Sequence, residues 1–164
     1  MCNIFKVDGK KNLCALLFSI LIAEGIGLLS GFLSLNTNKA YQSFNKPSFS
    51  PPAYVFPIVW TILFFLMAVA AYRIWLKGKS GEDVKKALIL YVIQLILNFL
   101  WPIIFFRLNL MGLAFFEILL LLVFILLTTF EFYKHDKAAA YLMIPYIIWV
   151  SFAAVLNYTI WMLN

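Results

Sequence analysis

The sequence predicts an all-α integral membrane protein, a bundle of five transmembrane helices forming one domain over residues 1–164. Three observations predict it. Of the residues, 65% are hydrophobic and only 12% charged, with a mean hydropathy of +0.96. A soluble domain of this length needs far more polar surface. Five apolar runs reach the roughly 20 residues that a helix needs to cross a hydrocarbon core about 30 Å thick. The charged residues gather in the connections between those runs. Lipid offers backbone N–H and C=O groups no partner, so continuous apolarity at this length means helix.

The first span covers 13–35. Lys6, Lys10 and Lys11 precede it in the manner of a secretory signal, but the run is long for one and Glu24 interrupts it, so it reads as a retained span. Ala23, Gly27 and Gly31 recur at every fourth position and form a small-residue face that a second helix can approach closely, inside the bundle or across a homodimer seam. The second span, 54–75, follows a long link that contains Pro47, Pro51 and Pro52. Each proline fixes φ and removes a donor, so the link is stiff and cannot pair as a strand. It is suited to lie across the mouth of the bundle, and Pro57 falls in the first helical turn, where a missing N–H costs little. The third and fourth spans, 87–106 and 110–132, are separated by a tight turn and are predicted to be antiparallel neighbours. The fifth covers 140–163.

Ten of the 13 Lys and Arg residues fall on the side of the N-terminus; only Lys39, Lys46 and Arg107 fall on the other. Basic residues mark the cytoplasmic side, so the N-terminus is placed in the cytoplasm and the proline link outside, in a multi-pass protein of a bacterial cell membrane. The same placement, flanking apolar runs, argues against nucleic acid as a partner and for the lipid bilayer. Cys2 and Cys14 offer neither a disulfide framework nor a metal site. His135, the only histidine, lies in a cytoplasmic turn, read as solvated and far from the outer half, so axial haem ligation there is not expected. No resident cofactor or metal is called for, and no nucleophile triad or phosphate loop occurs.

Glu24, Gln94, Asn98, Glu117, Ser151 and Asn157 lie inside spans, where polar groups are costly against hydrocarbon and turn toward the bundle interior or a wet cavity. Depth brings some of them together. At 1.5 Å per residue, Trp60 and Trp101 lie about 8 Å inside the outer boundary, Glu117 and Leu156 about 10 Å, Asn98 about 12 Å and Ala153 about 15 Å, with Trp149 deeper. Helical spacing puts Phe56, Trp60, Phe64 and Met67 on one stripe of span two, and Gln94, Asn98, Trp101 and Phe105 on one stripe of span three. Leu113, Glu117 and Leu120 share a stripe of span four, and Trp149, Ala153, Leu156 and Ile160 one of span five. Such stripes form either a packed core or a pocket wall; the amides and the carboxyl at the same level weigh toward a pocket. Trp75 and Trp161, at span ends, read as interfacial residues.

Three stretches carry a resemblance. "KPSFSPPAYVFPIVWTILFFL", "QLILNFLWPIIFF" and "IPYIIWVSFAAVLNYTIWMLN" resemble, in order, the first loop with the second helix, the third helix and the fifth helix of the translocator protein family, also called tryptophan-rich sensory proteins. The resemblance implies a five-helix bundle, often dimeric, whose first loop (36–53) folds over a ligand pocket. It implies a receptor for porphyrins such as protoporphyrin IX and for isoquinoline- or benzodiazepine-type ligands. Matched by position, that pocket includes Phe56, Trp60, Asn98, Trp101, Leu113, Ala153 and Leu156; Glu117 and Trp149 join on the depth and face argument. Trp60 and Trp149 match the tryptophans implicated in light-dependent porphyrin degradation, so an enzyme is one alternative implied and a tetrapyrrole transporter another. Phe49 and Phe56 depart from the family's usual tryptophan and glycine, and the chain's final residues lack the basic residue of the cholesterol-recognition pattern, so steroid handling is not supported.

Overall fold

Five long helices run antiparallel in sequence order, each long and apolar enough to cross a membrane. They are α1 (Leu13–Leu33), α3 (Val55–Lys79), α4 (Lys85–Pro102), α5 (Met111–His135) and α7 (Ile144–Leu163), with short α2 (Thr37–Ser43) after α1 and α6 (Lys137–Leu142) before α7. The computed structural model describes residues 4–7, 9, 11–34 and 37–164, with the side chains of 37–39 set aside. Leu35 and Asn36, where the first span was predicted to end and the covering link to begin, lie outside the described residues, as do Cys2, Lys10 and the Lys39 side chain.

Local chemistry sets the helix ends. Asn12 Oδ1 accepts the Ala15 N–H at 3.0 Å and caps α1. Past the hydrocarbon a helix needs polar partners rather than apolar side chains, so α3 runs on to Lys79 and α5 to His135, beyond the predicted span ends. Lys86 and Lys134 both reach Glu131 Oε1, at 2.6 and 2.9 Å. His135 is not simply solvated: its Nδ1 lies 2.7 Å from Glu82 Oε2. Arg73 Nε donates to Asp136 Oδ2 at 2.6 Å and Arg73 Nη1 to the Ile4 carbonyl at 2.6 Å, which ties the N-terminal segment to α3 and to the α5–α6 turn. Asn109 takes a left-handed conformation (φ 55°) in the turn before α5. The helices α4 and α5 are neighbours, as predicted, with Tyr91 stacked on Phe132 at 6.0 Å.

Proline shapes two helices. After Pro102 the backbone of α4 widens into one π-helical turn, Ile103–Arg107, in which the Leu108 N–H donates to Ile103 O at 3.0 Å. A proline ring crowds the preceding turn and removes a donor, and a π-bulge absorbs that mismatch. The fifth span is two helices that meet at Met143, with Pro145 at the start of α7.

Of the small-residue face of α1, Ala23 and Gly27 pack within the chain, and Gly31 stays open. Ala23 is fully buried, and a Cβ at Gly27 would overlap the Phe64 ring of α3. Ser19 Oγ donates to Ala68 O of α3 at 2.8 Å and Ser30 Oγ to Phe99 O of α4 at 2.7 Å, which fixes the height of α1 against both. Gly27→Ala is therefore expected to destabilise the bundle by about 1–3 kcal/mol through overpacking against a buried ring. Gly25→Ala, where a Cβ meets nothing within 4 Å, should be neutral or stabilising. Thermal unfolding of the two variants in one detergent checks the contrast.

Candidate functional site

A cavity of about 300 Å³ opens between α1, α3 and α4, beneath the link from α1 to α3. That is the small end of the range of about 300–1,000 Å³ for ligand pockets. On α1, Glu24, Gly27, Leu28 and Gly31 fall at the i, i+3, i+4 and i+7 spacing of a single helical face, and all line it. Helix α3 supplies Phe56, Trp60, Thr61 and Phe64; α4 supplies Asn98, Trp101 and Pro102, and the π-turn supplies Phe106. Six of the sixteen lining residues are aromatic, one is an amide and one a carboxyl, and none is Lys, Arg or His.

The roof is Tyr41 and Ala53. Sequence reasoning expected a stiff extended link; the link instead contains α2, which carries Tyr41. Tyr41 donates to Pro51 O at 2.9 Å and packs edge-on against Phe56, with ring centroids 5.1 Å apart. Burial pushes its phenol above the usual tyrosine range, so it stays an O–H donor at neutral pH. Lys46 Nζ donates to Tyr41 O at 2.8 Å and sits 4.8 Å from the Tyr41 ring centre. Asn45 and Asn164 exchange two hydrogen bonds of 3.0 Å, which pin the link to the end of α7. None of Pro47, Pro51 and Pro52 lines the cavity; they shape the link that brings Tyr41 and Ala53 over it.

Below and behind the cavity wall the polar groups of the spans find one another. Asn98 Nδ2 donates to the Tyr146 hydroxyl at 2.7 Å, and that hydroxyl donates to Gln94 Oε1 at 3.0 Å. Trp101 Nε1 donates to Asn157 Oδ1 at 3.2 Å, and Asn157 Nδ2 to Met111 O at 2.9 Å. These bonds fasten α4 to α7 and α7 to α5, and fix the height of Asn98 and Trp101 in the wall. Ser151 Oγ donates to Ile147 O of its own helix at 2.8 Å.

Of the residues expected to form a pocket, Phe56, Trp60, Asn98 and Trp101 come together in this cavity. The other five do not line it. Ala153 and Leu156 are buried in the packing of α7, and Trp149 stands behind Phe56, with ring centroids 5.8 Å apart. Both Glu117 carboxyl oxygens and Trp149 Nε1 are buried without a hydrogen-bond partner. Leu113 is 55% exposed and borders a shallow hollow beside Trp161. The reason lies in the rotation of α5: its buried face is Ala114, Ile118, Leu121 and Ile125, about one residue round from the predicted stripe. In place of these, the structure brings in α1 and Tyr41, which sequence reasoning left out. The available signal was Glu24, a carboxyl in mid-span that shares a face with two glycines.

Comparison with known proteins settles the relationship. A model of the TspO/MBR family matches residues 19–162. The chain belongs to the TspO/MBR family. It is 43% identical to the "Tryptophan-rich protein TspO" of Chlorobaculum tepidum over 126 residues, which span 76% of this chain and 78% of the relative. A protein of the same name from Archaeoglobus fulgidus is 37% identical over 93% of this chain and 99% of its own. The human "Translocator protein" is 37% identical over 74% of this chain and 72% of its own. For this TspO/MBR-family membrane protein, the three stretches that carried the resemblance build the entry to α3, the wall of α4 with its π-turn, and α7.

Proposed function

We propose that the chain is a membrane receptor for flat, apolar ring systems, tetrapyrroles such as protoporphyrin IX and isoquinoline- or benzodiazepine-type molecules, bound in the cavity under the link. One observation carries the reading: Phe56, Trp60, Phe64, Trp101 and Phe106 converge on one roofed hollow within the membrane-spanning part of the bundle. Aromatic faces offer broad stacking area at small entropy loss, which suits a rigid planar guest. A porphyrin's carboxylates are kept from Glu24 and turn toward the roof, where Lys46 lies.

Fluorescence-quench titration of the purified protein with protoporphyrin IX, in darkness, tests this. Saturable quenching is expected, with the affinity of Trp60→Ala lower by about tenfold, the order of an aromatic wall lost. Quenching that rises linearly, or a Trp60→Ala curve that overlays the wild type, would remove the reading. Repeating the titration under illumination tests the photochemical alternative: a new absorbing product that disappears in Trp60→Phe/Trp149→Phe would make the protein an enzyme. With Trp149 behind Phe56, only one of the two indoles borders the cavity, and binding is the function favoured.

The proposed orientation puts the roof outside the cell. In a background with Cys2 and Cys14 replaced by serine, Gln42→Cys on α2 should react with an impermeant maleimide in intact cells. Lys79→Cys, at the end of α3, should react only after lysis; the reverse pattern inverts the orientation.

A further inference from the structure

The cavity contains one group that a receptor for neutral rings does not need. Glu24 lies near the middle of α1, on the face that carries Gly27, Leu28 and Gly31, and it lines the hollow. Among the described residues its carboxyl has no hydrogen bond and no ion pair, and no cationic side chain borders the cavity. The described cations at the roofed end are engaged elsewhere: Lys46 Nζ with the Tyr41 and Gln42 carbonyls, Arg107 Nη1 with Leu33 O at 3.3 Å. A carboxyl held in an apolar span costs free energy that only a proton or a cation offsets. The other walls suit a cation as well as a neutral ring, since an ammonium gains from the faces of tryptophan, tyrosine and phenylalanine.

We propose that Glu24 makes this cavity a site for lipophilic alkylamines that carry an aromatic ring system, with the protonated nitrogen at the carboxylate and the ring system against Trp60 and Phe64. This rests on the reading of the cavity as the ligand site, and it names a class of guest that the reading alone does not. Gly31 leaves space open roughly one to two turns from the carboxyl, with nothing within 4 Å of where its Cβ would stand. A charge-assisted hydrogen bond in a site of low dielectric is then the main discriminator between an amine and its neutral counterpart.

The test uses two tricyclic probes on the full-length protein in nanodiscs, with empty nanodiscs subtracted: imipramine, which carries a tertiary amine, and iminodibenzyl, the same ring system without the amine chain. The wild type should bind imipramine saturably and more tightly than iminodibenzyl. In Glu24→Gln the ratio of the two affinities should fall by about tenfold, the order of one charge-assisted bond lost. Glu24→Asp, which keeps the charge on a shorter arm, should recover part of the ratio. Gly31→Leu should reduce binding of both probes and of protoporphyrin IX. A ratio unchanged in Glu24→Gln overturns the role of the carboxyl while leaving the cavity as the ligand site, provided Gly31→Leu still blocks binding. Probes that bind Gly31→Leu as they bind the wild type overturn both readings. Failure of imipramine to bind the wild type, with protoporphyrin IX still saturable, overturns the amine proposal alone.

Discussion

Gly31→Leu is expected to weaken protoporphyrin IX binding by about 30-fold or more, the equivalent of about 2 kcal/mol of overpacking against a guest. Gly31 lines the cavity from α1, and a Cβ there meets nothing within 4 Å, so a side chain can start at this position without a backbone clash. The side chain then occupies the hollow itself. Replacing glycine inside a helix also removes a local penalty of about 1 kcal/mol, so the variant should unfold no earlier than the wild type. Paired measurements, quench titration and thermal unfolding, separate a blocked site from a damaged fold. Undiminished affinity in a stably folded variant would place the ligand elsewhere.

The largest effect on stability is expected from Tyr146→Phe. The Tyr146 side chain is fully buried, and its hydroxyl both accepts from Asn98 and donates to Gln94. Removing one oxygen leaves two buried amides short of a partner. The cost is about 2 kcal/mol, since orphaning a buried polar group outweighs the net worth of the bond it made. For a chain of this length that corresponds to a fall of roughly 4–8 °C in Tm. Adding Gln94→Leu to Tyr146→Phe should recover part of the loss, because an apolar pair leaves fewer groups unsatisfied. A second mutation that deepens the loss would argue against this network. Asn98 also lines the cavity, so Tyr146→Phe should lower ligand affinity as well.

Three of the four inward stripes coincide with buried faces, and on α4 the amides Gln94 and Asn98 mark the face directly. Gln94, Asn98 and Trp101 are buried on α4 and Phe105 on the π-turn that follows it, as their spacing predicts, and so are Phe64 and Met67 on α3. The inner face of α7 was likewise fixed by Ala153, Leu156 and Ile160. On α5 the neighbours of Glu117 are apolar on every side, so a single carboxyl had to set the face, and the stripe drawn through it fell one residue from the buried one. In a membrane span the lipid-facing and core-facing side chains are equally hydrophobic, and an apolar run carries little rotational information. The link was misjudged for a different reason: prolines at 47, 51 and 52 report stiffness where they stand, not the helix that precedes them.

Composition and spacing alone determined that this chain spans a membrane five times as helices, because the cost of an unpaired backbone in hydrocarbon leaves no other solution at that length. Three-dimensional packing decided where the hollow lies. It falls against α1, where Gly27 admits the Phe64 ring of α3 at close range and Gly31 stays open, while Asn157 ties α7 to α5 on the other side of the bundle. Which helices part and which meet depends on how side chains from distant segments fill shared volume, and no pattern within one segment records that.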